Sequence, residues 1–110
     1  MRDIKFRLWC KNKKQWEKCS WLIDSRGDIC RLPNFQVLSR KNHILEQYTG
    51  LKDKNGVEVF EGDIILVEYN YIGNHEVIFK DGIFTASKYN LKNCRVIGNI
   101  HENPELLEGE

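Results

Sequence analysis

The sequence predicts a mainly β protein, all-β to α+β in class. An N-terminal β unit (residues 1–48) and a C-terminal barrel-like unit (residues 49–110) are expected to pack as one compact domain. Three observations predict this. Residues 3–10 alternate between apolar and polar side chains, the period of a half-buried strand. Short apolar runs are separated by turn signals about every ten residues. Residues 50–102 hold about five such runs, the strand count of an SH3-like small barrel.

Taken in order, Ile4, Phe6, Leu8 and Cys10 lie on one face of the first strand, and Asp3, Lys5, Arg7 and Trp9 on the other. Lys11-Asn12-Lys13-Lys14 is a polar turn, and Gln15 to Ile23 reads as a second strand anchored by Trp16 and Trp21. Ser25-Arg26-Gly27-Asp28 turns into a short strand, Ile29 to Leu32. Pro33 stops it, because proline has no amide to give a ladder. Residues 34–43 show no clear period, but Phe35, Val37 and Leu38 are expected to pack. His43 to Thr49 is a strand, and Lys52-Asp53-Lys54-Asn55-Gly56 is a tight turn whose Asn-Gly pair supplies positive φ. Val57 to Phe60 and Ile64 to Tyr69 are strands on either side of Glu61-Gly62-Asp63, followed by a loop at 71–74. Residues 76–79 and 83–86 form a hairpin with Asp81-Gly82 at its apex, and Arg95 to Ile100 is the last strand. A short C-terminal helix starts with Asn103 as N-cap and Pro104 in the first position, and Gly109 closes it.

With 41% hydrophobic and 30% charged residues, the composition is that of a soluble globular chain rather than a disordered one. The start, MRDIKFRLW, has no apolar leader, and no run approaches the roughly 20 apolar residues of a membrane helix. An intracellular protein without membrane contact is expected. The cysteines Cys10, Cys19, Cys30 and Cys94 lack the close pairing of a zinc site and read as free, buried thiols. The net charge of +1 hides a split between +7 on residues 1–55 and −6 on residues 56–110. Such halves favour pairing within the fold or between copies, or leave a basic face for an anion.

Local motifs for chemistry fail when checked. If Gly56 were the sixth position of a calcium loop, Asp53 and Asn55 would be ligands, but Leu51 and Gly62 would stand where two essential oxygens belong. The glycines Gly50, Gly56 and Gly62 make no phosphate loop, since no GxxxxGK[ST] and no following helix is present. His101-Glu102-Asn103-Pro104-Glu105 lacks the second histidine of HExxH. His43, His75 and His101 sit in polar contexts, and Glu58, Glu61, Asp63 and Glu68 flank turns where solvated faces are the default. The sequence therefore predicts no catalytic residues, no metal and no cofactor.

The N-terminal strand face is the clearest candidate for binding. Lys5, Arg7, Trp9 and Lys11 share it, with Lys13 and Lys14 in the adjoining turn. Cations interleaved with aromatics can track a phosphate backbone and stack bases. The bland alternative is a solvated face whose Lys and Arg stems cover Trp9.

Three blocks carry a family resemblance: MRDIKFRLW, QYTGLKDKNGVEVFEGDII and VIGNIHENPELL. They resemble the YopX family of small bacteriophage and prophage proteins. The match is strongest at Gln47, Tyr48, Thr49, Gly50 and Leu51, at Asp53, Asn55 and Gly56, and at Glu61, Gly62 and Asp63. Residues 15–43 and 70–75 match poorly. The resemblance implies a compact β-rich protein of the bacterial host cytoplasm and brings no enzymatic activity. The expected function is non-enzymatic protein–protein association, with a second copy or a host factor. The alternative is nucleic-acid binding through the basic aromatic face.

Overall fold

The computed structural model describes residues 4–80 and 82–108, with the side chains of Ser87 and Lys88 outside that description. The protein is mainly β, as the turn spacing predicts, and the chain forms two compact units. Met1–Phe6 and Glu46–Glu110 form the larger unit, and Arg7–Leu45 the smaller. Among the described residues no helix is long and apolar enough to cross a membrane.

The smaller unit takes most of β1 (Phe6–Cys10), then β2 (Gln15–Trp16), β3 (Trp21–Ile23), β4 (Ile29–Arg31), β5 (Gln36–Val37) and the start of β6 (His43–Lys52). β1 and β2 pair antiparallel with Trp9 opposite Trp16, and β3, β4 and β5 form a three-stranded meander. Leu8, Ile29 and Leu38 make the core, with Trp21 and Leu45 packed against it.

The sequence reads Gln15 to Ile23 as one strand, but the structure breaks it after Trp16. The strand changes partner there, Gln15–Trp16 pairing with β1 and Trp21–Ile23 with β4. Between them Glu17 donates its amide to the Leu8 carbonyl at 2.8 Å, and its buried carboxylate accepts from Arg31 Nη2 at 2.8 Å. That hydrogen bond outweighs burial and holds the Glu17 carboxyl below the usual range. Phe35 and Val37, expected to pack, are 61% and 56% exposed, and only Leu38 of that group is buried. Ile4, expected on the buried face, is also exposed. Cys10, Cys30 and Cys94 are free buried thiols, whereas Cys19 is exposed, contrary to expectation. Burial pushes the Cys30 and Cys94 thiols up, away from reactive thiolate.

The larger unit holds the rest of β6, then β7 (Glu58–Phe60), β8 (Asp63–Val67), β9 (Gly73–Glu76), β10 (Phe79–Lys80), β11 (Ile83–Phe84) and β12 (Cys94–Asn99). β8 lies between β12 and β9, and β10 pairs with β11. Val59, Ile65, Val67, Val77, Ala86, Leu91 and Cys94 form its core.

The loop expected at 71–74 is partly strand β9, and the hairpin expected at 76–86 shrinks to two residues a side. Thr85 ends it: its hydroxyl accepts from the Ile78 amide at 2.9 Å and donates to the Glu76 carbonyl at 3.2 Å. Thr85–Lys88 then forms a 3₁₀ turn. Asp81, half of the apex signal, lies outside the described residues.

The C-terminal helix is a single 3₁₀ turn, Pro104–Leu107, and Asn103 does not cap it with its side chain. Asn103 Oδ1 instead accepts from the Asn99 amide at 3.3 Å and sits over Gly98. Gly109, the expected end of the helix, lies outside the described residues.

Candidate partner-binding groove

Within the larger unit, β6 and β7 fall out of register. Tyr48 pairs with Phe60 and Lys52 with Glu58, so Thr49, Gly50 and Leu51 together face Val59. Thr49 stabilises the bulge. Its buried hydroxyl donates to the Val59 carbonyl at 2.7 Å and accepts from the Leu51 amide at 3.2 Å. Gly50 takes a φ of 85°, which the distortion needs. The bulge turns Leu51 outward, leaving it 39% exposed.

This bulge is one wall of a groove of about 390 Å³, lined by Gln47, Thr49, Gly50 and Leu51. Phe79, Gly82, Ile83 and Phe84 of the short hairpin make the other wall. Phe79 and Phe84 meet edge to face at 4.7 Å, which fixes both rings. Phe84 is buried, while Phe79 and Ile83 are 44% and 51% exposed. The groove thus presents ordered apolar side chains to solvent beside the polar groups of Gln47 and Thr49, the composition of a binding cleft.

The remaining residues of the central block hold backbone in place. Asp53 Oδ1 accepts from the Asn55 amide at 2.8 Å and the Val57 amide at 2.9 Å. Its Oδ2 accepts from the Val96 amide at 2.8 Å. A carboxylate so occupied caps a turn. Burial pushes its carboxyl up, but the Val96, Val57 and Asn55 amides outweigh that and hold it below the ordinary range. Tyr48 stacks on Phe60 at 5.4 Å, and Glu61 donates its amide to the Gln47 carbonyl. Asp63 Oδ2 accepts from the Phe60 amide at 2.7 Å, and Asp63 is buried rather than solvated as its turn position suggests. Among the described residues no group of three or more His, Cys, Asp or Glu side chains is placed to hold a metal ion.

His43 and His101 lie in polar sequence contexts but hold structural positions. The side chains of both are nearly fully buried. His101 Nε2 donates to Glu46 Oε2 at 2.9 Å, joining residues 55 positions apart. Neither lines the groove.

The N-terminal candidate face is placed as follows. Lys5 pairs with Glu58 and lies 5.5 Å over the Tyr48 ring, within the larger unit. In the smaller unit Trp9 is only 6% exposed and packs edge-on against Trp16 at 4.9 Å. The Arg7 guanidinium lies 4.4 Å over the Trp16 ring. Trp9 therefore presents no open ring for a base. Lys11, Lys13 and Lys14 are exposed.

Sequence reasoning misses Phe79, Ile83 and Phe84 as a wall of the groove. The available signal is an Asp-Gly hairpin with apolar residues on both arms and no polar alternation to cover them.

The profile of the family described as YopX protein matches residues 5–108. The chain is similar in structure to protein EF1440 from Enterococcus faecalis, with a TM-score of 0.70 and 31% identity over 98% of this chain and 100% of that one. It is also similar to the protein yopX from Bacillus subtilis, with a TM-score of 0.60 and 26% identity over 98% of this chain and 100% of that one. No curated protein matches the chain.

Proposed function

The chain belongs to the YopX family, and from that premise we propose that it is a non-enzymatic phage or prophage accessory protein. It acts in the bacterial cytoplasm by associating with another protein, either a second copy or a host factor. The groove carries this reading: exposed Leu51, Phe79 and Ile83 flank the buried Thr49 and Phe84. Apolar and aromatic side chains that are already ordered lose little entropy on binding, so they serve as anchors for a partner's apolar side chain.

The test is a double variant, Leu51→Asp with Ile83→Asp. Both side chains are exposed, so the fold is expected to survive, as checked by circular dichroism. Light scattering at low and high salt reads self-association, and capture from the bacterial host reads a heterologous partner. The variant is expected to weaken the association seen for wild type by at least about tenfold. A wild-type protein that stays monomeric and captures the same proteins as the variant would remove the groove from consideration.

A further inference from the structure

We infer that two adjoining turns of the smaller unit, residues 11–14 and 40–42, form a cationic platform for the phosphate backbone of nucleic acid. The two turns are far apart in sequence but tied together. Lys11 donates its amide to the Asn42 carbonyl at 2.8 Å, and the Asn12 amide donates to Asn42 Oδ1 at 2.8 Å. Asn42 Nδ2 also reaches Cys10 Sγ at 3.7 Å. This brings Lys11, Lys13 and Lys14 beside Lys41, all of them exposed.

The charge there is uncompensated. Residues 7–45 carry nine Lys/Arg and three Asp/Glu, a net +6. All three acids are engaged elsewhere: Glu17 with Arg31, and Asp24 and Asp28 with Arg26. Among the described residues none of the four lysines has an acidic partner.

The chemistry of the turns selects the partner. Their other side chains are Asn12, Asn42 and Arg40, the last turned to the Gly27 carbonyl, with no apolar residue among them. Protein interfaces need an apolar core and are poor in lysine. Phosphate contacts need cations and neutral hydrogen-bonding groups such as asparagine. Since Trp9 is buried and Arg7 covers Trp16, bases find no stacking surface here, and binding follows the backbone without regard to sequence. This differs from the strand face expected from the sequence: Lys5, Arg7 and Trp9 drop out and Lys41 enters. It is also independent of the groove.

Fluorescence anisotropy with labelled short duplexes of two unrelated sequences tests it. Both are expected to bind equally at low salt. If about four phosphates are neutralised, affinity falls about a hundredfold between roughly 50 and 200 mM salt. Changing Lys11, Lys13, Lys14 and Lys41 together to Gln is expected to abolish binding. Lys18→Gln, an exposed control outside both turns, and the Leu51→Asp/Ile83→Asp variant are expected to leave it unchanged. Three results would overturn the inference: no wild-type binding at low salt, binding that survives the quadruple change, or tighter binding to polyglutamate than to either duplex, which would make the platform an acidic-protein surface.

Discussion

Gly62→Ala is expected to destabilise the protein by about 3–5 kcal/mol, and Gly56→Ala by only about 1–2 kcal/mol. Both glycines have nearly the same left-handed backbone, φ of 87° and 81°. Both replacements therefore meet the same backbone penalty, about 1–2 kcal/mol. They differ in surroundings. A Cβ at Gly56 meets nothing within 4 Å, whereas one at Gly62 would lie 2.1 Å from Glu46 Oε2 and 2.7 Å from its Cδ. The Glu46 carboxylate has little room to withdraw. It is buried, and it accepts the hydrogen bond of His101 at 2.9 Å. Displacing it strips a buried imidazole and a buried carboxylate of their bond, which adds about 1–3 kcal/mol or more. Urea denaturation of the two single variants measures the contrast. A double-mutant cycle with Glu46→Ala then locates its source. Without the carboxylate, Gly62→Ala should fall back to the backbone penalty, giving a coupling of about 2 kcal/mol. Equal losses at Gly62 and Gly56 would mean that the Glu46 contact is not what constrains the turn.

The central block shows where the sequence is legible and where it is not. That Gly56 and Gly62 stand at turns is readable, because positive φ is a local property of the residue and its neighbours. That Gly62 lies against Glu46 is not readable, since the contact spans 16 positions and depends on how β6 is placed. The His101–Glu46 bond is hidden for the same reason: a histidine in a polar segment looks solvated until the fold supplies its partner. The groove mixes both cases. The residues 47–51 stand out as a family signature, but their bulge appears only when paired with β7, and the opposing wall comes from residues 79–84. Strand limits fail where pairing partners change or a side chain competes with the ladder. The strand predicted over residues 15–23 divides because its two halves pair with different neighbours, β1 and β4, and Thr85 ends another by bonding the backbone at Glu76 and Ile78. The cationic platform was half visible. The run at 11–14 is plain in the sequence, but its neighbour Lys41 arrives only through Asn42.

Asp53→Asn should cost about 3 kcal/mol although it changes almost no volume. The reason lies in the direction of its bonds. Both carboxylate oxygens accept, Oδ1 from the amides of Asn55 and Val57 and Oδ2 from the amide of Val96. An asparagine has one acceptor and one donor end. With its oxygen toward Asn55 and Val57, its NH₂ faces the Val96 N–H; turned over, it faces two N–H groups instead. Either orientation sets donor against donor in a buried site, and the bond to Val96 is the one that joins the 53–57 turn to β12. The same geometry sets a pH dependence. Burial alone would raise the Asp53 carboxyl, but the three amides prevail, so it titrates lower folded than unfolded. Its contribution is complete above the ordinary aspartate range near ~3.9 and fades as pH falls through the lower folded value. Glu17, also held low, chiefly by its hydrogen bond from Arg31, contributes acid sensitivity of the same sign in both proteins. The difference between wild type and Asp53→Asn therefore isolates Asp53. Urea denaturation across acid and neutral pH should show that difference at full size near neutrality and shrinking toward strong acid. A difference that stayed constant, or grew on acidification, would mean that the ionised carboxylate is not what ties the turn to β12.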